Sequence, residues 1–284
     1  MTRVRSRNPM QKTTRLVRML LVLLMLFVVV VSVYPFVYMA FLSFMETSSM
    51  KLDLARIAKA TWTLDNYKTL FKRSNFLLCF KNSTIMTVYA VAVTCAVSSM
   101  AAYAFAKKRF RGRQALFLVY LATMMIPTQV TLIPCFLILN RLHMLNTYSA
   151  MALPTCGAFG TLLVHQFLKA IPDDLLEAAE IDGCNELYKF TRIVLPLIRP
   201  VLVSLAIFTF ISVWGSLVLP LIVTNKPEMT TLQVSIATIK TNRSATDYGL
   251  MMAASMISFL PPFILYLLLQ KQFVEGIALS GTKM

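Results

Sequence analysis

MLLVLLMLFVVVVSVYPFVYMAFLSF, Met19–Phe44, contains no charged side chain and almost no polar one. A helix rising ~1.5 Å per residue needs ~20 residues to cross ~30 Å of hydrocarbon, and this run exceeds that length. Outward from it, five more runs free of Asp, Glu, Lys and Arg do the same: Asn82–Ala106, Gln114–Asn140, Met144–Leu168, Pro200–Asn225 and Tyr248–Gln270. The 284-residue chain is 57% hydrophobic and 14% charged, with a mean hydropathy of +0.68, outside the range of soluble domains. Core helices of a soluble protein would show polar faces and need a large polar exterior, which this composition does not supply. The expected fold class is an all-α integral membrane protein with six transmembrane helices.

The formal net charge of +16 is distributed unevenly. With the N-terminus inside, seventeen of the 28 basic residues fall in cytoplasmic segments, so both termini are expected in the cytoplasm. The short link KKRFRGR, Lys107–Arg113, carries the strongest local signal. The division this implies is a basic N-terminal segment over 1–18, a six-helix transmembrane domain over 19–284, an external loop over 45–81 and a cytoplasmic loop over 170–199. A cleaved signal peptide is the rival reading of the first run, but that run is too long and no small-residue cleavage site closes it. The five cysteines are odd in number and lack metal-ligand spacing, so they read as small buried side chains and no metal site is expected.

An ion-coupled carrier usually needs charged side chains at membrane depth, and each costs ~2.5–3.5 kcal/mol to insert. The six runs hold one ionisable group of the relevant kind, His165, within a turn of Lys169, and it reads as an interfacial, structural histidine. Nucleotide hydrolysis by this chain is not expected either. GIALSGTK, Gly276–Lys283, has two glycines at phosphate-loop spacing, but Thr and Lys stand in the wrong order and no helix follows. Any energy for uphill movement must come from a partner.

Against this basic, apolar background stands DDLLEAAEIDG, Asp173–Gly183. Six of the twelve acidic residues lie between Asp173 and Glu186, with no Lys or Arg between Lys169 and Lys189. Pro172 suits a first helical position, the two aspartates suit the positive first turn and Gly183 suits the position past the end, which predicts a short helix over Pro172–Asp182. Asp173 with Glu177, and Glu177 with Glu180, put like charges on neighbouring turns, unfavourable by ~0.2–0.5 kcal/mol each. The other flank presents Leu175, Leu176, Ala178, Ala179 and Ile181. Acid beside a small apolar patch suits a helix that docks in a basic-rimmed groove; the alternative is a solvated loop helix.

EAAEIDGCNELYKFTRIVLPLIRP, Glu177–Pro200, resembles the EAA loop of permease subunits of binding-protein-dependent ABC importers. TLDNYKTLF (Thr63–Phe71), MMIPTQVTLIPCF (Met124–Phe136), LNTY (Leu145–Tyr148), LMMAAS (Leu250–Ser255) and QKQFVEGI (Gln270–Ile277) are similar to pieces of its carbohydrate branch, which includes the maltose-type inner permease subunit. The resemblance implies the type I ABC importer permease fold in a bacterial cytoplasmic membrane. It also implies a second homologous permease subunit, two ATP-binding subunits that bind ATP and Mg, and an extracytoplasmic solute-binding protein. No cofactor and no catalytic site belong to this chain on that reading. Glu177, Ala178, Ala179, Asp182 and Gly183 are the positions carried over as the ATPase coupling helix, with the alanines packed in the ATPase cleft.

One departure affects the solute path. Many carbohydrate permeases have Asn after the Trp of the fifth span, whereas this chain has WGSLVLP, Trp214–Pro220. Thr209, Ser212, Trp214 and Ser216, with Gln129 in the third run, are candidates to face a translocation path. The plainer reading is that Ser and Thr bridge helices while Gly215 permits close crossing. Pro127, Pro134, Pro220, Pro261 and Pro262 fall inside spans, where kinks are tolerated. The aromatic and basic residues of Arg56–Phe80 suit a helix at the membrane surface. The rivals from other classes are an ion-coupled carrier and a membrane scaffold without transport.

Overall fold

The computed structural model describes residues 15–45, 62–72, 75–239 and 247–281. The basic segment before Arg15 and most of the external loop lie outside them. Packing divides the chain into two compact units, Met1–Thr69 with Lys240–Met256, and Leu70–Ile239 with Ile257–Met284.

In the first unit, α1 (Arg15–Ser43) is exposed all round over its apolar length. A helix hydrophobic on every face fits lipid. Its end is tied down by α2 (Asp65–Lys72). Asn66 donates from Nδ2 to the carbonyls of Ser43 and Met45, both at 2.9 Å, and Tyr67 Oη donates to Ser43 Oγ at 2.8 Å. Gly249 approaches this joint so closely that a Cβ there would sit 2.6 Å from the Met45 carbonyl oxygen.

The second unit is organised around α3 (Phe76–Lys107). Its buried face carries Ser83, Thr87, Ala90, Thr94, Ser98 and Ala102, small side chains at helical spacing that allow close helix approach. α4 (Arg113–Ala122) and α5 (Thr128–Arg141) follow, then α6 (Tyr148–Ala152) and α7 (Ala158–Lys169). α7 and α11 (Arg199–Trp214) pack most extensively on α3. Gly160 of α7 faces Ser98 Oγ and Leu205, leaving no room for a Cβ. One apolar cluster gathers Met86, Met151, Val213 and Val223 toward the start of α3, and a second gathers Ala102, Tyr103, Val164, Leu168, Val194 and Ile198 toward its end.

Between α7 and α11 the chain forms α8 (Asp174–Ile181), α9 (Glu186–Tyr188), a π-helical stretch at Lys189–Val194 and α10 (Leu195–Leu197). After α11 come α12 (Val218–Val223), α13 (Leu232–Ala237) and α14 (Tyr248–Gly281).

Among the described residues three helices are long and apolar enough to cross a membrane, and counting each of three bent pairs as one span gives up to six. The third apolar run, Gln114–Asn140, is therefore not the straight span its length predicts. It turns by 105° between α4 and α5, where Ile126 and Pro127 are both extended (φ −85, ψ 119; φ −60, ψ 133). Proline disfavours helical geometry in the residue before it and has no N–H to continue the ladder. The fourth run bends by 50° at Cys156–Gly157. The fifth, Pro200–Asn225, also departs from one helix: α11 stops at Trp214, and its axis makes 75° with the Glu186–Leu197 segment before it. Glu186, Lys189 and Arg192 in that preceding segment place it outside the apolar layer.

Candidate functional site

The acidic helix is bounded by its own backbone chemistry. It begins two residues later than Pro172: Asp173 is the N-cap, and its carbonyl accepts from the N–H groups of Leu176 and Glu177 at 2.8 and 3.1 Å. At the other end Gly183 adopts φ 78. The Cys184 N–H reaches the Ala179 carbonyl at 2.9 Å, and the Gly183 N–H reaches that of Glu180 at 3.0 Å. These two bonds are the Schellman pair that closes a helix on a left-handed residue. Asn185 then caps α9, its Oδ1 accepting from the Tyr188 N–H at 2.8 Å.

The apolar flank of α8 is split. Leu176 packs against the cluster at the end of α3, and Ala179 is only 6% exposed. Leu175, Ala178 and Ile181 point outward, Ile181 at 87%. Of the two alanines expected in a partner's cleft, Ala179 is used by the chain's own packing, whereas Ala178 is exposed.

The acidic residues divide as well. Asp174, Glu177 and Asp182 are exposed and make no ion pair among the described residues. Asp173, Glu180 and Glu186 turn back to the bundle. Lys107, the last residue of α3, has a side chain 4% exposed, and its Nζ donates to Asp173 Oδ1 at 2.5 Å and to the Ile171 carbonyl at 2.6 Å. Lys189, 3% exposed, donates to Glu180 at 3.1 Å and Glu186 at 2.6 Å. Lys108 pairs with Glu186, which also accepts from Tyr103 Oη at 3.1 Å. Hydrogen bonds from Lys108 and Lys189 lower the Glu186 pKa to about 2. Those from Glu186 and Glu180 raise that of Lys189. Partial burial disfavours the charge on Lys108, but its bonds to Glu186 and Tyr103 outweigh this and its pKa is raised.

The five path candidates fall apart. Gln129 and Ser212 are exposed, Ser216 is half-buried in the break after α11, and no side-chain hydrogen bond joins them among the described residues. Thr209 is buried. Trp214, at 4% exposed, stacks on Phe210, meets Phe80 edge-on, and donates from Nε1 to the Ser258 carbonyl at 2.9 Å. That carbonyl lies four residues before Pro262, whose missing N–H would have been its helical partner. The tryptophan thus satisfies a carbonyl orphaned by a proline, a structural role. His165 is buried, with its ring centroid 4.2 Å from that of Phe117, in keeping with a structural histidine.

Residues 95–278 match the family described as binding-protein-dependent transport system inner membrane component. The chain belongs to that family. The permease is 31% identical to the arabinooligosaccharides transport system permease protein AraQ of Halalkalibacterium halodurans, over 96% of this chain and 99% of that one. It is 30% identical to the diacetylchitobiose uptake system permease protein DasC of Streptomyces coelicolor, over 88% and 92%. It shares its fold with the crystal structure of a bacterial ABC transporter involved in import of the acidic polysaccharide alginate, with a TM-score of 0.81, 22% identity, and coverage of 94% of this chain and 100% of that one.

The structure pairs polar residues that the sequence did not flag. Lys107, Lys108 and Tyr103 were visible only as an inside-positive link and a span end, and Lys189 only as the residue closing the acidic stretch. Asn82 is another. Its Nδ2 donates to the carbonyls of Glu228 and Thr230 at 2.8 and 3.0 Å, and its Oδ1 accepts from Tyr148 Oη at 2.8 Å, which pins the segment before α13 to the start of α3.

Proposed function

We propose that this chain is one permease half of an ATP-driven importer for a sugar or oligosaccharide, and that α8 is its contact with a cytoplasmic ATPase. The observation that carries the proposal is the outward face of α8. Among the described residues Asp174, Glu177 and Asp182 make no ion pair, and they stand beside exposed Leu175, Ala178 and Ile181 on a helix closed at both ends. Charge of one sign around a small apolar knob fits a basic-rimmed groove. On this reading ATP and Mg are bound by two partner ATPase subunits, and this chain supplies no catalytic group. A second homologous permease completes the path, and an extracytoplasmic solute-binding protein delivers the solute.

The solute class rests on the relatives, whose names specify arabinooligosaccharides and diacetylchitobiose, and others maltodextrin and lactose. Gln129, Ser212 and Ser216 remain the polar candidates for the path. Both termini are assigned to the cytoplasm. The ion pairs from Lys107 and Lys108 to Asp173 and Glu186 support this, because they hold the basic link and the acidic loop at the same end of α3.

The test is reconstitution of this chain with the second permease, the ATPase and the binding protein in proteoliposomes. ATP-dependent sugar uptake is expected, and Glu177→Lys abolishes it and weakens ATPase recovery in a pull-down. Uptake by this chain alone, driven by an ion gradient and indifferent to ATP, would refute the proposal; so would no flux from the full set.

A further inference from the structure

The outward face of α8 explains how a partner grips it but not how its movement reaches the spans. α8 has eight residues, and its apolar hold on the bundle is confined to Leu176 and Ala179. A helix seated so lightly, with short turns at 170–173 and 182–185, would pivot under a push. The two nearly buried ammonium groups sit at its two ends. Lys107 holds Asp173 at the start of α8, and Lys189 holds Glu180 seven residues later, a lever of roughly 10 Å at ~1.5 Å per residue. Fixing an object at two points resists rotation, which fixing it at one does not.

The two anchors belong to different spans. Lys107 ends α3, which packs along α7 and α11. Lys189 opens the π-helical stretch that leads through α10 into α11. Glu186 closes the circuit by pairing with Lys108 and Lys189 together. The carboxylates are more than half exposed while both lysine side chains lie beneath them at 3–4%. Ammonium groups that merely solvated the acids would stay in water, since ordering a lysine chain has an entropic cost.

We infer that Lys107 and Lys189 are positioning residues that lock α8 to α3 and to the approach to α11, so that displacement of α8 by the ATPase moves two spans as one body. This rests on α8 being the ATPase contact. The six carboxylates then have two tasks, three facing the motor and three forming the joint.

The experiment measures ATP hydrolysis and sugar uptake together in the reconstituted complex. Lys107→Met and Lys189→Met are expected to retain ATPase binding and to hydrolyse ATP within about twofold of wild type, while uptake per ATP falls at least fivefold. Lys189→Arg keeps the charge and restores the ratio. Adding Asp173→Asn to Lys107→Met produces no further loss, because one pair carries both effects. Where a Met variant does not assemble, Asp173→Asn alone, at an exposed carboxylate, shows the same fall in uptake per ATP. Wild-type uptake per ATP in assembled Met variants, or in Asp173→Asn, would overturn the inference, as would a loss in Lys189→Arg equal to that in Lys189→Met. Absence of ATP-driven uptake in the wild-type complex would instead remove the proposed function.

Discussion

Gly183 offers the sharpest test of the proposed ATPase contact, because its requirement is purely conformational. It sits at φ 78, and a Cβ built on it would meet no atom within 4 Å. A side chain there has room, so the whole penalty of Gly183→Ala is that of holding a non-glycine residue in the left-handed region, ~1–2 kcal/mol. At ~1.4 kcal/mol per factor of ten, the native turn becomes five- to thirty-fold less favoured against its alternatives. Gly183→Asn is milder, since asparagine tolerates this region. Gly183→Pro is worst. Its φ is fixed near −65° and it deletes the N–H that bonds the Glu180 carbonyl at 3.0 Å, so the turn is lost, by about 3 kcal/mol or more. ATPase recovery in a pull-down and ATP-driven uptake should both rank glycine, asparagine, alanine, proline in descending order. An alanine variant as impaired as proline would mean that space, not backbone geometry, governs the position. A proline variant equal to wild type would mean that the turn after α8 plays no part in coupling.

Three further outcomes follow from the packing. Asn82→Leu strands the carbonyls of Glu228 and Thr230 and the Tyr148 hydroxyl; with partly buried groups at the lower end of ~1–3 kcal/mol each, a loss of about 2–4 kcal/mol is expected in a detergent unfolding assay. Trp214→Phe keeps the ring stacking but orphans the Ser258 carbonyl, which should lower stability by about 1–3 kcal/mol while leaving the sugar-concentration dependence of uptake unchanged; a shifted KM would return Trp214 to the solute path. Glu186 has a folded pKa of about 2 against ~4.3 unfolded. Its contribution is therefore complete above about pH 5 and lost as pH falls through 4.3 toward 2. The unfolding-midpoint gap between wild type and Glu186→Gln should be flat from pH 6 to 8 and shrink below pH 4.5; a change between pH 6 and 8 would contradict the pairing described here.

The apolar runs and the short acidic helix were legible in the sequence because both are local. Charge-free length marks a span, and Gly183 marks a helix end, wherever the rest of the chain goes. The path candidates were not legible, since a Trp or Thr in an apolar run has the same one-dimensional pattern whether it faces a solute or a neighbouring helix. The joint was hidden for another reason: Lys107 and Asp173 are 66 residues apart. One signal did exist. The densest basic link and the densest acidic stretch were both assigned to the cytoplasm, and opposite charge concentrated on one side of a membrane is grounds for pairing them. Reading the acid as wholly unneutralised counted only neighbours along the chain.

Proline shows the same gap between residue type and outcome. Pro127 coincides with a 105° turn, yet Pro134 lies inside α5 and Pro261 and Pro262 inside α14 without ending either helix. The difference lies in what meets the backbone groups that proline frees. Ile126 and Pro127 are extended, so the ladder ends there and α5 starts afresh. In α14 the carbonyl freed by Pro262 is that of Ser258, and the indole N–H of Trp214 takes the place of the missing amide at 2.9 Å. Gln233 donates to the Ser258 hydroxyl at 3.0 Å and to the Trp214 carbonyl at 3.3 Å, which ties α13 to the same point. Deep in an apolar layer, where water cannot serve as acceptor or donor, a proline leaves a span continuous when a neighbouring helix supplies the lost partner. That makes the end of α11 and the middle of α14 one structural element, and it accounts for an aromatic residue with a hydrogen-bond donor at position 214 without invoking a solute.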